Sequence, residues 1–269
     1  MELTQPTLTA TRLMAHLAGT YHEREREQER EASKAVERLP FTIKRVQSDE
    51  ELWKAVRVRH AAYARHVPEF AKTLSAPEES DYSGDAVILL AESKLDGSPL
   101  GSARIQTNLL QPLHVEASVA LPLWMQTQRM AEVTRLGVEE GRIGRLVKIA
   151  LIKASFEFCE QNQVAWAVVT GRTPIDRQYE QLLFSDVFAD KQPVPLRHVG
   201  NIPHRVMAFE IATGEQRWTE AQHPLLGFFR HTRHPDIDIS LRNAVPPAIR
   251  PAVTLRPQAV GPTFQFVPA

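Results

Sequence analysis

The sequence contains one cysteine, Cys159, so no disulfide can form within the chain. This cysteine lies in an apolar helical pattern, and we interpret it as a small buried hydrophobic residue. The absence of disulfides fits a reducing compartment. The sequence also has no apolar run of the ~18–20 residues that a membrane-spanning helix requires, and no apolar stretch near its start resembles a secretory signal. We therefore expect a cytoplasmic protein.

Charge of one sign is not in excess either. The 32 lysines and arginines balance 32 aspartates and glutamates, which gives a formal net charge of zero. Because no overall positive field draws the chain to nucleic acid, we predict no nucleic-acid partner. The ten histidines show no paired spacing with carboxylates on one helix face, so we predict no metal site. We interpret four of them as loop residues: His198, His204, His231 and His234.

Three zones of the chain differ in composition. Residues 1–40 contain the run "HEREREQERE", whose alternating charge predicts a solvated helix. Residues 41–212 alternate strand patterns with helical ones and form the predicted core domain. Residues 213–269 are rich in proline and have few periodic segments, so we expect an irregular extension that wraps the core or partly lacks order.

Strand patterns recur within the predicted core domain, at residues 41–46, 86–93, 99–107, 131–138, 164–170 and 205–211. A helix is predicted from Ser48, which forms a capping box with Glu51, to about His66. A second helix follows the fourth strand, and a third is predicted to be capped by Thr173. The strand–helix–strand unit at 131–170 predicts parallel pairing beside antiparallel strands, and therefore a mixed α/β sheet.

Charged residues occur in elements that otherwise have an apolar, inward face. Arg59 lies on a helical stripe with apolar residues, and Arg104 lies in the middle of a strand. The strand "AEVTRLGV" carries Glu132 and Arg135, which a flat strand would place on opposite faces unless a bulge intervenes. Two acids in a preceding turn, Asp81 and Asp85, are candidates to neutralise the arginines. Buried charges need partners, so these residues form either a structural ion-pair network or a functional site.

A glycine loop, "EEGRIGRL", separates this strand from the next helix. It places Gly141, Arg142, Gly144 and Arg145 at a helix N-terminus, where backbone N–H groups bind phosphate well. The loop is consistent with a plain turn, or with a phosphorylated ligand such as a pantetheine arm.

Taken together, these segments resemble the acyltransferase fold of the N-acetyltransferases. They resemble more closely the acyl-homoserine-lactone synthases and the long-chain N-acyl amino acid synthases. Those families show an Arg-x-x-x-aromatic helix, a spaced pair of aspartates, a G-x-x-R strand and an E-x-x-R strand. The matching residues here, within 41–211, are Arg59 with Tyr63, Asp81 with Asp85, Arg104, and Glu132 with Arg135. The resemblance implies an N-acetyltransferase-like fold, with a mixed, mostly antiparallel sheet flanked by helices.

The resemblance implies transfer of a long-chain fatty acyl group from acyl carrier protein to the α-amine of an amino acid. Glu132 would act as the base, and a backbone N–H freed by a distortion in the strand 131–138 would stabilise the oxyanion. Arg104 or Arg135 would hold the acceptor carboxylate or brace the acids. The implied substrate-binding residues are Arg59, Tyr63, Asp81, Asp85 and Thr134. The residues implied for the carrier protein and the pantetheine phosphate are Gly141, Arg142, Gly144, Arg145 and Lys148.

Two departures from the family patterns bear on the substrates. The glycine loop lacks the (Gln/Arg)-x-x-Gly-x-(Gly/Ala) of coenzyme A-dependent members, which favours a donor carried on the phosphopantetheine of acyl carrier protein without excluding coenzyme A. No tryptophan typical of the lactone synthases lies near Asp81, which weakens that reading. No resident cofactor is implied, and a lipid product would bring the enzyme close to membranes.

Other functions remain open at the level of the sequence. The chain is also compatible with an acyl-homoserine-lactone synthase or a coenzyme A-dependent N-acetyltransferase. A non-catalytic domain that binds an acylated ligand or a protein partner is the alternative from a different class.

Overall fold

In a computed structural model of the chain, residues 34–240 are described. The charged helix predicted for residues 1–40 lies almost entirely outside this range. The part of the predicted extension beyond residue 240 also lies outside it.

A mixed, mostly antiparallel sheet forms the centre of the described part of the chain. Its strands run in the order β11-β2-β3-β4-β5-β6-β9-β7, with β8 paired to β9, while β1 and β10 form a separate pair. Within the large sheet, the β11–β2 and β5–β6 pairs are parallel and the others are antiparallel. The strands are β1 (Ala35–Val36), β2 (Phe41–Arg45), β3 (Ala86–Ser93), β4 (Pro99–Thr107), β5 (Met130–Val138), β6 (Trp166–Gly171), β7 (Ser185–Asp186), β8 (Val194–Leu196), β9 (Ile202–Glu210), β10 (Thr232–Arg233) and β11 (Ile237–Asp238).

Helices cover both faces of this sheet. The α-helices are α1 (Asp49–Ala64), α2 (Pro68–Ala71), α3 (Leu123–Gln126), α4 (Gly141–Gln161), α5 (Ile175–Gln181) and α6 (Gly214–Glu220). Short 3-10 turns occur at Lys72–Leu74, Glu79–Tyr82, His114–Ala117 and Arg197–Val199, and a π-helical turn at Gly227–His231. None of the helices in this part of the chain is long and apolar enough to cross a membrane.

Of the two predicted helix caps, the one at Ser48 is confirmed and the one at Thr173 is wrong. Ser48 caps α1, since its Oγ accepts a hydrogen bond from the Glu51 N–H at 3.2 Å. The carboxylate of Glu51 accepts from the Gln47 N–H instead of from Ser48, so the box is displaced by one residue. Thr173 does not cap α5, which begins at Ile175 with Pro174 in the cap position. The Thr173 hydroxyl instead donates to the Asp176 carboxylate at 3.2 Å.

Strand β3 lies between two apolar layers and contributes alternate side chains to each. Leu89 faces the main core, where Leu151 of α4 is buried. Leu90 faces the other side and packs in a cluster with Val56 of α1. Because successive side chains of a strand point to opposite faces, one strand serves both layers.

Two glycines allow the helices to approach the sheet closely. A Cβ on Gly101 would lie 2.6 Å from Val147 Cγ1, so α4 packs directly on β4 at this position. A Cβ on Gly137 would lie 3.2 Å from the Cα of Arg59. The glycine in β5 therefore brings α1, and with it Arg59, against the strand that carries Glu132 and Arg135.

The core continues past residue 212, to the end of the described range. Trp218, Phe229 and Ile239 are buried in the main cluster, and β11 adds to the edge of the sheet beside β2. The ring of Trp218 packs edge-on against Phe156 with centroids 5.0 Å apart, and its Nε1–H donates to the Leu182 carbonyl. The segment after residue 212 contributes to the core through scattered aromatic residues. Its sequence therefore lacks the periodicity that a regular apolar face of a helix or strand would produce.

β5 and β6 pair only at their beginnings. Their parallel register runs from Met130–Trp166 to Val133–Val169, although β5 continues to Val138 and β6 to Gly171. The strands therefore separate beyond Val133, and the resulting gap lies next to the N-terminus of α4.

Candidate active site

Three arginines from three elements meet two carboxylates on the α1 side of the sheet. Arg59 forms a two-point ion pair with Asp81, with nitrogen–oxygen distances of 3.0 and 2.7 Å. Arg135 does the same with Glu78, at 2.7 Å for both contacts. Arg104 Nη1 lies between them, 3.1 Å from Asp81 Oδ1 and 3.2 Å from Glu78 Oε2. The structure thus brings together four of the predicted residues.

Glu78 was not predicted from the sequence. It lies in the exposed-looking run "PEES", and it becomes recognisable only when three arginines are found to share two acids. Burial opposes ionisation of Glu78, but the hydrogen bonds and charges of Arg135, Arg104 and Arg59 outweigh it and lower the pKa of the Glu78 carboxyl. The pKa of Asp81 is lowered against burial in the same way, chiefly by Arg59.

The other residues assigned to substrate binding are more scattered. Thr134 Oγ1 accepts a hydrogen bond from Arg104 Nε at 3.3 Å. Tyr63 packs on the ring of Phe70, over which the Arg135 guanidinium also lies.

Asp85 does not neutralise an arginine in the described part of the chain, contrary to the sequence-based expectation. Its carboxylate accepts from the Ser83 hydroxyl and, at 3.5 Å, from Gln111 Nε2. The turn that holds Asp81 therefore directs the second aspartate toward other partners.

A bulge in β5 turns Arg135 to the same side as Glu132. Arg104 pairs with Thr134 but Ser102 pairs with Gly137, so β5 holds one residue more than β4 over this stretch. Arg135 has a φ of 55°, a left-handed conformation that non-glycine residues rarely adopt. Both side chains then contact His198. Arg135 donates a hydrogen bond to the His198 carbonyl, and Glu132 lies beside the His198 ring. A bulge also removes backbone from the regular ladder of hydrogen bonds.

Glu132 is buried completely at the centre of this face, with 0% exposure. Its Oε2 accepts a hydrogen bond from the Val115 N–H at 3.0 Å. Burial raises the pKa of the Glu132 carboxyl to about 7, against the Val115 hydrogen bond and the charges of Arg104 and Arg135. A carboxyl with this pKa exchanges protons readily at neutral pH.

Two histidines that the sequence did not single out for this site lie beside Glu132. His198 Nε2 is 3.5 Å from Glu132 Oε1, and the rings of His198 and His114 are 5.9 Å apart. Burial, with the nearby positive charge of Arg104 and Arg135, lowers the pKa of His114 to about 4 and that of His198 to about 3. Both imidazoles are therefore neutral at pH 7. Each lies in a short 3-10 turn, which leaves no periodic signal in the sequence.

Several buried polar atoms around Glu132 have no hydrogen-bond partner within residues 34–240. They are Arg104 Nη2, Gln106 Oε1, Asp85 Oδ2, Glu132 Oε1, His114 Nδ1 and both ring nitrogens of His198. Buried polar atoms of proteins are nearly always paired, so a concentration of unpaired ones marks a place for a polar ligand. The set offers one cationic donor and several acceptors.

The glycine loop opens α4 with two special backbone positions. Gly141 has a φ of 85°, and a Cβ on Gly144 would lie 1.7 Å from the Glu139 carbonyl oxygen. Arg142 and Arg145 are exposed at this helix N-terminus. Lys148 is turned away toward α5, where its Nζ donates to Gln178 Oε1 at 2.6 Å. Burial, and then Arg145, lower the pKa of Lys148.

We expect Gly144→Ala to destabilise the protein by about 2 kcal/mol or more, because the neighbour that its Cβ would overlap is backbone and cannot rotate away. Urea unfolding followed by circular dichroism measures this difference. Gly227→Ala is the matched control, since a Cβ there would contact nothing within 4 Å. Equal losses in the two variants would contradict the close approach of Glu139.

An apolar pocket lies on the opposite face of the sheet, next to the gap between β5 and β6. Its cavity is small, about 20 Å³, and it opens to solvent. Its lining includes Val133, Leu136, Ile152, Phe156, Val169 and Phe184. Because Val133 follows Glu132 in β5, the pocket and the carboxylate lie on the two faces of the same strand.

Within residues 34–240, no group of three or more histidine, cysteine, aspartate or glutamate side chains could hold a metal ion.

No protein-family model matches the sequence, and no curated protein matches it at a significant level. Comparison of the fold with solved structures does find similar proteins. One is FeeM, an N-acyl amino acid synthase from uncultured soil microbes, with a TM-score of 0.50 and 14% sequence identity over 68% of this chain and 97% of FeeM. The chain has the fold of this synthase. The sequence-based prediction of the fold class, and of a structural resemblance to the N-acyl amino acid synthases, is confirmed.

Other similar structures have lower scores. BjaI, a CoA-dependent acyl-homoserine lactone synthase in a structure with SAM and isopentyl-CoA, has a TM-score of 0.48 at 16% identity, over 74% of this chain and 94% of BjaI. NAA60 of Arabidopsis thaliana, in complex with acetyl-CoA, has a TM-score of 0.44 at 15% identity, over 64% of this chain and 99% of NAA60.

Proposed function

We propose that the protein is an N-acyltransferase that moves a long-chain fatty acyl group from a carrier thioester to the α-amine of an amino acid. The observation that carries this proposal is Glu132, a completely buried carboxyl with a pKa near 7 and an unpaired oxygen, in a fold like that of an N-acyl amino acid synthase.

The unpaired atoms on one face of β4 and β5 match the two charged ends of an amino acid. Arg104 Nη2 is a buried cationic donor without a partner in the described structure, and it would bind the acceptor carboxylate. Glu132 Oε1 would bind the amine. Glu78 and Asp81 occupy the remaining sides of Arg104 and hold its guanidinium in place.

Arg59 and Arg135 are assigned a bracing role, because both are engaged in two-point ion pairs. The sequence left open whether Arg104 or Arg135 binds the carboxylate, and we propose Arg104. Arg104 is engaged through Nε and Nη1, but its buried Nη2 has no partner in the described structure and is left to bind the acceptor carboxylate.

The chemical step begins with the acceptor amine, which is mostly protonated near neutral pH. Ionised Glu132 accepts one ammonium proton, and the amine nitrogen then attacks the thioester carbonyl carbon. The oxyanion that forms would be stabilised by a backbone N–H at the Arg135 bulge. Collapse of this intermediate breaks the carbon–sulfur bond, and a second proton of the attacking nitrogen moves to the departing sulfur, which leaves as the thiol.

The donor would enter through the gap between β5 and β6. The N-terminus of α4 would bind the pantetheine phosphate, since the first N–H groups of a helix have no partner within it and the Glu140 side chain does not cap them. The exposed side chains of Arg142 and Arg145 flank this point and would contact an acidic acyl carrier protein.

The apolar pocket behind β5 would hold the acyl tail. Each buried methylene contributes about 0.8 kcal/mol, so an apolar lining favours a fatty acyl tail over an acetyl group. Because the cavity is small in this structure, the side chains that line it would have to move apart to admit a long chain.

The experiment compares acyl carrier protein and coenzyme A thioesters of several chain lengths, with a panel of amino acids and homoserine lactone precursors as acceptors. Thiol release and mass spectrometry of the amide give rates and products. We expect amide formation with a long-chain acyl carrier protein and a free amino acid. Transfer of acetyl groups only, formation of lactones, or binding without turnover would each overturn this assignment in favour of one of the alternatives.

We expect Arg145→Glu to raise the apparent KM for acyl carrier protein and to leave the KM for the amino acid unchanged, because the exposed guanidinium would face only the donor. Steady-state kinetics with each substrate varied in turn measures this. Lys191→Glu is the control, because Lys191 is an exposed lysine that follows the edge strand β7. Equal changes in the two KM values would contradict the placement of the carrier.

A further inference from the structure

The transfer reaction proposed above produces one proton that Glu132 cannot deliver directly to water. An acyl thioester and an ammonium give an amide, a thiol and one proton, and this inference rests on that proposed function. Glu132 would take the proton while having no exposure to solvent. A group that contacts Glu132 must therefore accept the proton before the next turnover.

The contacts of Glu132 leave one route. Oε2 accepts a hydrogen bond from the Val115 N–H, which has no capacity to take up a proton. Oε1 lies 3.5 Å from His198 Nε2. The histidine is thus the proton acceptor nearest to the free oxygen of the carboxyl.

His198 in turn faces a second imidazole. The His198 and His114 rings are 5.9 Å apart, and His114 Nδ1 and both nitrogens of His198 have no partner in the described part of the chain. His114 is only partly buried, in contrast to Glu132. The series Glu132, His198, His114 therefore leads from the interior toward the surface.

Burial first, and then the positive charges of Arg104 and Arg135, lower the pKa of both rings and keep them neutral at pH 7. The titratable and charged groups that act on them are Glu132 and Arg135 from β5, Arg104 from β4, His204 from β9, and Glu78 and Asp85 beside the β3 end. A neutral imidazole has one N–H and one bare nitrogen, so it can accept a proton on one side while giving up a proton on the other.

We propose that His198 and His114 form a relay that carries the reaction proton from Glu132 to solvent. The O–H bond of protonated Glu132 breaks as an N–H bond forms at His198 Nε2. The Nδ1 atoms of His198 and His114 are not hydrogen-bonded to each other in the described structure, so a water molecule between the rings would take the proton from His198 Nδ1 and give one to His114 Nδ1. The other ring nitrogen of His114 then releases its proton to bulk water. Glu132 returns to its carboxylate form without any other reactant. His198 and His114 are positioning residues in this scheme, since they act through Glu132.

Pre-steady-state kinetics on His198→Gln tests the relay. We expect a first turnover close to that of the wild type, because Glu132 still accepts the first proton, and then a steady-state rate at least ~10-fold lower. The KM values for both substrates should stay within about two-fold. Imidazole added to His198→Ala should restore the steady-state rate. A variant that turns over at the wild-type rate without a burst would overturn the proposal.

His204→Gln is the matched control, because His204 is a half-buried histidine whose Nδ1 contacts its own strand at the Ile202 carbonyl. We expect it to show neither a burst nor rescue by imidazole. The same burst in this control would mean that loss of any nearby histidine disturbs the site, and would remove the relay as the explanation.

A second measurement needs no substrate. In the ligand-free protein, the ¹⁵N signals of the His198 ring should shift as Glu132 titrates near pH 7, and this response should vanish in Glu132→Gln. If no thioester supports turnover, the proposed function fails while this coupling is still observable. Absence of the shift in the wild type would overturn the relay whether or not the enzyme transfers acyl groups.

Discussion

Glu132→Gln is expected to lower the turnover of acyl transfer at least ~100-fold, the usual loss when a general base is removed. The amide has the same shape as the carboxyl, and its oxygen can still accept the Val115 hydrogen bond. The fold should therefore persist, with a circular dichroism spectrum like that of the wild type. Thiol release from a long-chain acyl thioester measures the rate.

Glu116→Gln is the matched control for this substitution. Its carboxylate accepts from the Leu113 N–H at 2.7 Å in the turn beside Glu132, and an amide oxygen can accept the same bond. We expect nearly wild-type turnover in this variant. Unchanged turnover in Glu132→Gln, or an equal loss in both variants, would remove Glu132 from the mechanism.

The pH dependence of the wild type follows from the same residue. A base must be ionised to act, and the pKa of Glu132 is raised by burial to about 7. The rate should therefore fall about ten-fold per unit as the pH drops below 7 and level off above it. This limb should disappear in the residual activity of Glu132→Gln.

Asp81→Asn is expected to cost about 3–5 kcal/mol of folding free energy, the usual effect of removing one partner from a buried ion pair. Asp81 has no exposed side-chain surface, and its loss would leave Arg59, Arg104 and Arg135 sharing Glu78. Urea unfolding at pH 7 measures the difference. Asp96→Asn, in an exposed turn, is the control and should change stability little.

The sign of the pH effect gives a second check on this variant. The pKa of Asp81 in the folded protein lies below its ordinary value of 3.8, so the carboxylate stabilises the fold above that pH. The contribution is lost as the pH falls through the folded pKa, and the two proteins should then converge in stability. A loss below about 1 kcal/mol at pH 7 would mean that the arginine cluster is not held by Asp81.

The bounds of the regular strands could be predicted from the sequence, because they depend on a local pattern of apolar residues. β3 and β4 have the predicted bounds, 86–93 and 99–107, since apolar alternation and a turn between them act over a short range. Burial of Arg59 was also predictable, because it lies on an apolar helix stripe, and burial of Arg104 and Glu132 was predictable because each lies within a strand of the predicted core.

What could not be predicted depends on contacts between distant segments. The side to which Arg135 points is set by a bulge, and one extra residue leaves no mark in the strand pattern. Glu78 and His198 approach the site from turns, where residue type indicates exposure and not position. The segment after residue 212 joins the core through Trp218 and Phe229, which have no period to reveal them.

Mass spectrometry of lipid extracts from cells that express the wild type or Glu132→Gln tests the proposed reaction most directly. We expect new long-chain N-acyl amino acids in the wild-type extract alone, which would identify the acyl length and the acceptor together. No new N-acyl amino acid in the wild type, or equal amounts in the two extracts, would contradict acyl transfer by this site.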